Sequence, residues 1–186
     1  MKKVLIICGH PDYKNSLANK TILSEIEKNC PQVEIRKISE LYPDCKIDVK
    51  VEQNALESAD VIIFQFPTHW YNVPGILKIY IDTVMEHGWA YGSKGTALKG
   101  KIFIISTTAG APEVAYSENG VMKHKLEDFY FNIAQYAALC GMDCKKFFGI
   151  YGAMCIPGVT TYEQKANLIE KLQKHADEII DFLKTL

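Results

Sequence analysis

Three segments of the chain carry residues that could hold a phosphorylated ligand. The first runs from residue 9 to residue 19 and reads Gly-His-Pro-Asp-Tyr-Lys-Asn-Ser-Leu-Ala-Asn. It leads from an apolar run into an amphipathic stretch, and the free amides and dipole at a helix start favour a phosphate. In one interpretation, Ser16 contributes a hydroxyl to the ligand and His10 contributes a hydrogen-bond donor. In the other, Ser16 only caps its helix and His10 only shapes a turn. Neither G-x-G-x-x-G nor a P-loop pattern occurs, which disfavours a Rossmann or P-loop site.

The second segment, residues 66–74, places Trp70 and Tyr71 between Pro67 and Pro74. Prolines restrict the backbone, and adjacent aromatic rings offer a rigid flat wall for a planar cofactor. The alternative is a Trp-Tyr pair buried under a neighbouring helix or at a subunit interface.

The third segment, residues 107–113, reads Thr-Thr-Ala-Gly-Ala-Pro-Glu and is followed by Tyr116. Its small residues allow close backbone approach, and its hydroxyls supply hydrogen bonds. Ala109 fits such a loop only if its φ is negative. Each segment alone is a weak signal, but the three together suggest flavin mononucleotide (FMN), with its phosphate on the first and its isoalloxazine between the second and third.

The elements that position these segments are predicted from hydrophobic periodicity. Short β-branched runs predict strands at 3–8, 32–36, 60–66, 101–106 and 144–150. Helices are predicted from about Ser16, through 51–56, from Pro74 to Gly88, over 121–139, and after a capping box at 161–164. This alternation predicts a single α/β domain over residues 1–186: a doubly wound five-stranded parallel sheet with helices on both faces. Ligands of such sheets bind at the carboxyl ends of the strands, where all three segments begin.

Composition narrows the class of protein. The chain has 186 residues and a formal net charge of −1, which gives no reason to expect a nucleic-acid partner. No apolar run is long enough to span a bilayer and no signal peptide is visible, so a cytoplasmic protein is expected. The cysteines lack paired spacing and are expected to be small core fillers, and no metal site is expected.

At these residues the sequence resembles the NAD(P)H:quinone oxidoreductase family, whose fold is flavodoxin-like. The likeness is greatest to its small bacterial members, which include ancillary proteins of glutathione-regulated potassium-efflux systems. It covers roughly the first 120 residues well. The matching segments are 10–11 and 16–19, 41–44, 47–48, 52–53, 64–67, 70–74, 77–82, 87–92, 95–98, 100–101 and 107–108.

The resemblance implies a bound flavin and ping-pong hydride transfer from NAD(P)H to quinones or similar electrophilic acceptors. In animal members a tyrosine and a histidine six residues later stabilise the reduced flavin; Tyr116 matches the tyrosine, but the sixth residue on is Met122, and the nearest histidine is His124. Tyr116 is therefore the expected catalytic residue. The connection after the second strand is much shorter than in the FAD-binding animal members. This favours FMN as the cofactor and leaves FAD open. The implied cofactor-binding residues are His10, Ser16, Leu17, Ala18, Asn19, Pro67, Thr68, His69, Trp70, Tyr71, Thr107, Thr108, Ala109 and Gly110.

Two other functions stay open from the sequence. One is a regulatory subunit that docks on a membrane potassium-efflux protein. The other is a flavodoxin-type electron carrier, which the near-zero net charge disfavours, since carriers that dock on basic partners are usually acidic. Family members are homodimers with the flavin at the subunit boundary, so a homodimer is expected; the aromatic residues at 129–131 and Tyr136 suit an interface or the core equally well.

Overall fold

The computed structural model describes residues 2–186 and contains a five-stranded parallel sheet. Its strands are β1 (Val4–Cys8), β2 (Glu34–Lys37), β3 (Val61–Pro67), β4 (Ile102–Thr108) and β5 (Asp143–Ile150), and their order across the sheet is β2-β1-β3-β4-β5. All five predicted strands are present, and the predicted flavodoxin-like α/β fold is confirmed.

Six α-helices connect and cover the strands: α1 (Leu17–Asn29), α2 (Ile38–Leu41), α3 (Val49–Ser58), α4 (Gly75–Val84), α5 (Phe131–Leu139) and α6 (Tyr162–Lys184). The three predicted start signals are confirmed, and Pro74 is the residue directly before α4. Ser16 caps α1, and Thr161 and Gln164 form the reciprocal capping box of α6. Among residues 2–186, no helix is both long and apolar enough to cross a membrane.

The sheet is buried on both faces because successive side chains of its central strands point to opposite sides. In β1, Leu5 and Ile7 join the core under α3, α4 and α5, whereas Ile6 and Cys8 join the core under α1 and α6. This double burial explains why the central strands read as continuous apolar runs.

Two predicted helices have different bounds. The stretch predicted as one helix over 121–139 contains turns, a 3-10 helix (Leu126–Tyr130) and only then α5. Lys123 has a φ of 59°, which no α-helix accommodates, and the Asp128 carboxylate accepts the Lys125 amide and so starts a new turn. Helix α4 ends at Val84 rather than at Gly88, whose positive φ serves a later turn.

Candidate cofactor site

The strand order brings the three predicted segments to one edge of the sheet. β1, β3 and β4 are neighbours, and the Gly9 amide donates to the Gln65 carbonyl at 2.9 Å. The Thr68 amide donates to the Thr108 carbonyl at 2.8 Å. The segments are thus adjacent at the switch in strand order, where this class of fold binds its ligands.

A cavity of about 590 Å³ lies at this edge, against the start of α1. The predicted residues His10, Ser16, Leu17, Ala18, Asn19, Pro67 and Thr108 line it. The other side of the cavity, which no sequence motif predicts, is formed by the chain after β5 and the first turn of α6. That side consists of Ala153, Met154, Cys155, Pro157 and Lys165.

Ser16 caps its helix and also faces the cavity. Its Oγ accepts the Asn19 amide at 3.1 Å, which confirms the capping role. The hydroxyl keeps its own hydrogen, and the α1 geometry leaves the Leu17 and Ala18 amides without intrahelical acceptors. The two interpretations of Ser16 are therefore compatible, because its oxygen caps the helix while Ser16, Leu17 and Ala18 all line the cavity.

His10 presents a donor to the same cavity. Its Nδ1 accepts the Asp12 amide at 3.0 Å, so in the neutral ring the proton lies on Nε2. Burial lowers the pKa of His10, and the nearby His69 lowers it further. His10 is therefore a neutral donor until an anion binds beside it.

The charge around the cavity is positive. Lys14, Lys20 and Lys165 line it, and no acidic side chain of the described residues does. Lysine ammonium groups and helix amides together suit a phosphate dianion.

A chain of buried amides lies under the cavity. Gln65 Nε2 donates to Asn19 Oδ1 at 2.8 Å, and Asn19 Nδ2 donates to Thr108 Oγ1 at 3.2 Å. Gln65 Oε1 is buried and has no hydrogen-bond partner in residues 2–186. Gln65 does not itself line the cavity; its side chain supports Asn19, which does, through the hydrogen bond to Asn19 Oδ1.

Trp70 and Tyr71 form a tight two-residue turn at the end of β3. The His69 and Asn72 backbones exchange hydrogen bonds of 2.9 and 3.0 Å, and both central residues have positive φ, 49° and 60°. Trp70 is 93% exposed, so its burial under a neighbouring helix is excluded; a subunit interface stays open. Non-glycine residues in this region store strain, which is common at ligand clamps.

Backbone hydrogen bonds fix the position of the third segment. Ala109 has a negative φ, as the segment requires, and its amide donates to the Ile150 carbonyl at 2.7 Å. A Cβ on Gly110 would lie 2.7 Å from the Met154 Cε, so this glycine lets Met154 cross the segment closely. Thr107 and Thr68 share a 3.1 Å hydrogen bond between their hydroxyls, and Tyr130 donates to Thr68 at 2.7 Å.

Tyr116 lies beside these segments in an aromatic cluster. Its side chain is buried, and burial raises its pKa, with Tyr71 raising it further. The rings of His124 and Tyr116 both contact the ring of Phe129 rather than each other. The centroid of the Phe129 ring lies 5.7 Å from that of His124 and 6.3 Å from that of Tyr116.

Together these features fit a flavin monophosphate. The basic cavity at the start of α1 suits the phosphate, and the exposed aromatic turn suits a flat ring.

The comparisons with known proteins agree with the fold. A family model described as a flavodoxin-like fold matches residues 2–176. The chain belongs to this family. The resemblance found from the motifs is thereby confirmed.

Three relatives show how far the likeness extends. The glutathione-regulated potassium-efflux system ancillary protein KefF of Enterobacter sp. (strain 638) is 47% identical over 113 residues, which are 61% of this chain and 64% of that protein. The chain thus matches less than two thirds of this relative's length. The structure of general stress protein 14 from Treponema denticola, in complex with FMN, has a TM-score of 0.86 at 28% identity, covering 98% of each chain. A structure named as a thermophilic tryptophan halogenase from Streptomycin violaceusniger has a TM-score of 0.81 at 33% identity, covering 92% of this chain and 97% of that one.

More distant solved structures, at 24% identity or below, are named as quinone reductases and azoreductases, and at that identity they show the fold alone. The names of these neighbours differ although their fold is shared. Function must therefore be argued from the site.

Proposed function

We propose that this protein is a flavin-dependent NAD(P)H dehydrogenase that binds FMN and reduces quinones or similar electrophilic acceptors by two electrons. One observation carries the proposal: a basic cavity against the start of α1 lies at the switch in strand order, between the ends of β1 and β3. The FMN complex of the Treponema denticola neighbour supports the FMN-binding part of the proposal.

The chain's own residues bind and orient. His10, Ser16 and the amides of Leu17 and Ala18 hold the phosphate, and the three lysines attract it. Thr68, His69, Trp70 and Tyr71 line one side of the ring, and Thr107, Thr108, Ala109 and Gly110 line its edge. When bound, the flavin supplies hydride chemistry; the protein supplies position and electrostatics.

Tyr116 holds a proton at the place where negative charge develops. A buried phenol with a raised pKa stays protonated and can donate a hydrogen bond to that charge.

The spectrum of the protein reconstituted with FMN tests the proposal. We expect flavin absorbance near ~375 and ~450 nm that bleaches when NADH or NADPH is added without oxygen. Turnover with a quinone should follow ping-pong kinetics. Failure to bind either FMN or FAD would reject the proposed function.

Two substitutions at Ser16 separate helix capping from phosphate binding. Ser16→Ala should lower the free energy of unfolding by about 1 kcal/mol, because the cap is lost. Ser16→Asp keeps a capping oxygen but places a negative charge against the phosphate, so it should fold normally and lose most of its FMN affinity. Thermal unfolding and FMN titration of both variants measure this; equal FMN affinity of Ser16→Asp and wild type would place the phosphate elsewhere.

Tyr116→Phe should lower turnover roughly tenfold, the loss expected when an interaction made only in the reacting state is removed. FMN affinity should change little. Steady-state kinetics with matched flavin content measure it, and unchanged turnover would remove Tyr116 from the reaction.

A second candidate is an ancillary subunit of a potassium-efflux system, which the likeness to KefF favours. Co-purification with such a transporter tests it independently of activity.

We also propose that the protein is a cytoplasmic homodimer with its flavin at the subunit boundary. Large apolar side chains are exposed near the site, notably Trp70, Val114, Val121 and Phe131. Exposed apolar side chains of this size mark interfaces where they form one patch. Analytical ultracentrifugation measures the oligomeric state.

A further inference from the structure

Tyr116 is held between two aromatic rings that come from distant parts of the chain. Phe129, in the 3-10 helix, meets the Tyr116 ring edge-on with centroids 6.3 Å apart and planes at 81°. Tyr151, directly after β5, lies tilted against it at 5.5 Å. Aromatic pairs in these arrangements attract each other beyond the effect of burial, so the two contacts restrict the Tyr116 ring.

Tyr151 is itself fixed to the third segment. The amides that follow it, from Gly152 and Ala153, donate to the Ala111 and Ala109 carbonyls, both at 2.9 Å. The Lys171 ammonium donates to the Tyr151 carbonyl at 2.8 Å. The backbone that carries the Tyr151 ring is therefore fixed relative to the segment that would line the flavin edge.

Phe129 connects Tyr116 to the aromatic turn. Its ring lies 5.1 Å from Tyr71, one of the two strained residues after β3. The Phe129 ring therefore contacts both Tyr71 and Tyr116. Tyr71 is proposed to line the flavin, and Tyr116 is proposed to donate a hydrogen bond to it.

We propose that Phe129 and Tyr151 are positioning residues that clamp the Tyr116 phenol, and that Phe129 also holds Tyr71. This inference rests on the proposed function for its catalytic consequence, whereas the clamp itself exists in the protein without cofactor. Neither residue touches the reacting atoms; each acts through Tyr116 or Tyr71.

Double-mutant cycles test the catalytic consequence. Tyr151→Ala should lower kcat about tenfold with little change in KM, and Tyr151→Phe, which keeps the ring, should restore it. In the Tyr116→Phe background, Tyr151→Ala should have almost no further effect. Phe129→Ala should lower kcat and raise KM, since it also releases Tyr71. Tyr162→Ala is the control, because that side chain is 96% exposed.

Additive losses in the Tyr116→Phe background, or failure of Tyr151→Phe to restore kcat, would overturn the clamp while leaving the proposed function intact. A second measurement needs no cofactor. The Tyr116 ring signal in the NMR spectrum of tyrosine-labelled protein should show slow ring flipping in the wild type and fast flipping in Tyr151→Ala. Equal rates of Tyr116 ring flipping in the two proteins would also reject the clamp. Failure of the wild-type protein to bind flavin would instead reject the proposed function.

Discussion

Glu52→Ala should lower the free energy of unfolding by about 3–5 kcal/mol, the cost typical of breaking a buried ion pair. The Glu52 side chain is fully buried on α3. Arg36 of β2 donates to it from Nε at 2.8 Å and from Nη2 at 2.6 Å. The hydroxyls of Tyr42 and Tyr80 also donate to it, at 2.6 and 3.1 Å. Removal of this carboxylate leaves a poorly exposed guanidinium and two hydroxyls without their acceptor.

Glu34→Ala is a matched control, since Glu34 pairs with the same arginine. The Arg36 Nη1 to Glu34 Oε1 distance is 3.1 Å, but the Glu34 side chain is 51% exposed. Exposed pairs contribute about 0–1 kcal/mol, so urea unfolding should show a small loss for Glu34→Ala and a large one for Glu52→Ala. Similar losses would mean that burial does not set the strength of this network.

His175 should destabilise the protein in mild acid. It lies buried on α6, with Nε2 3.5 Å from the Ser106 hydroxyl and its ring edge-on to Phe148. Burial, and secondarily Lys171, lowers its pKa from 6.5 to about 4. In the unfolded chain it titrates near ~6.5.

The pH window follows from these two values. Between pH 6.5 and about 4 the unfolded state holds a proton that the folded state lacks, so stability falls as pH falls through this window. The loss approaches about 1.4 kcal/mol per pH unit and about 3 kcal/mol in total. Below the lower value, both states are protonated and this contribution no longer changes.

His175→Gln isolates this effect because it keeps a polar side chain near Ser106 but cannot titrate. The difference in unfolding free energy between wild type and His175→Gln, followed from pH 7 to 4, should change by about 3 kcal/mol in favour of the variant. The other titrating groups contribute equally to the pH dependence of stability in both proteins, so their contributions cancel in this comparison. A difference that does not vary with pH would show that His175 accepts a proton without unfolding.

The strands and the position of the site could be predicted because they depend on local signals. Double burial makes β1 and β3 continuously apolar, and a serine before an amphipathic stretch marks the start of α1. Parallel topology then places the strand ends together, which is why segments far apart in the chain could be assigned to one ligand.

The missed features depend on contacts between distant residues. Lys165 and Tyr151 reach the site only because β5 lies beside β4, and no local pattern marks them. The helix predicted over 121–139 had a suitable apolar pattern, but the positive φ of Lys123 and the new helix start at Lys125 interrupt it. The buried acceptor Glu52 also depends on partners from β2, α4 and the segment after α2.

The cavity at the start of α1 takes its walls from the first loop, the ends of β3 and β4, and the far segment that leads into Lys165. During synthesis, the amino-terminal part of this site exists long before its opposite wall leaves the ribosome. Parallel strands also pair late, since their contacts join distant parts of the chain. Capture of the proposed flavin should therefore be a final event of maturation, so that flavin retention would report whether a newly made molecule has completed its fold.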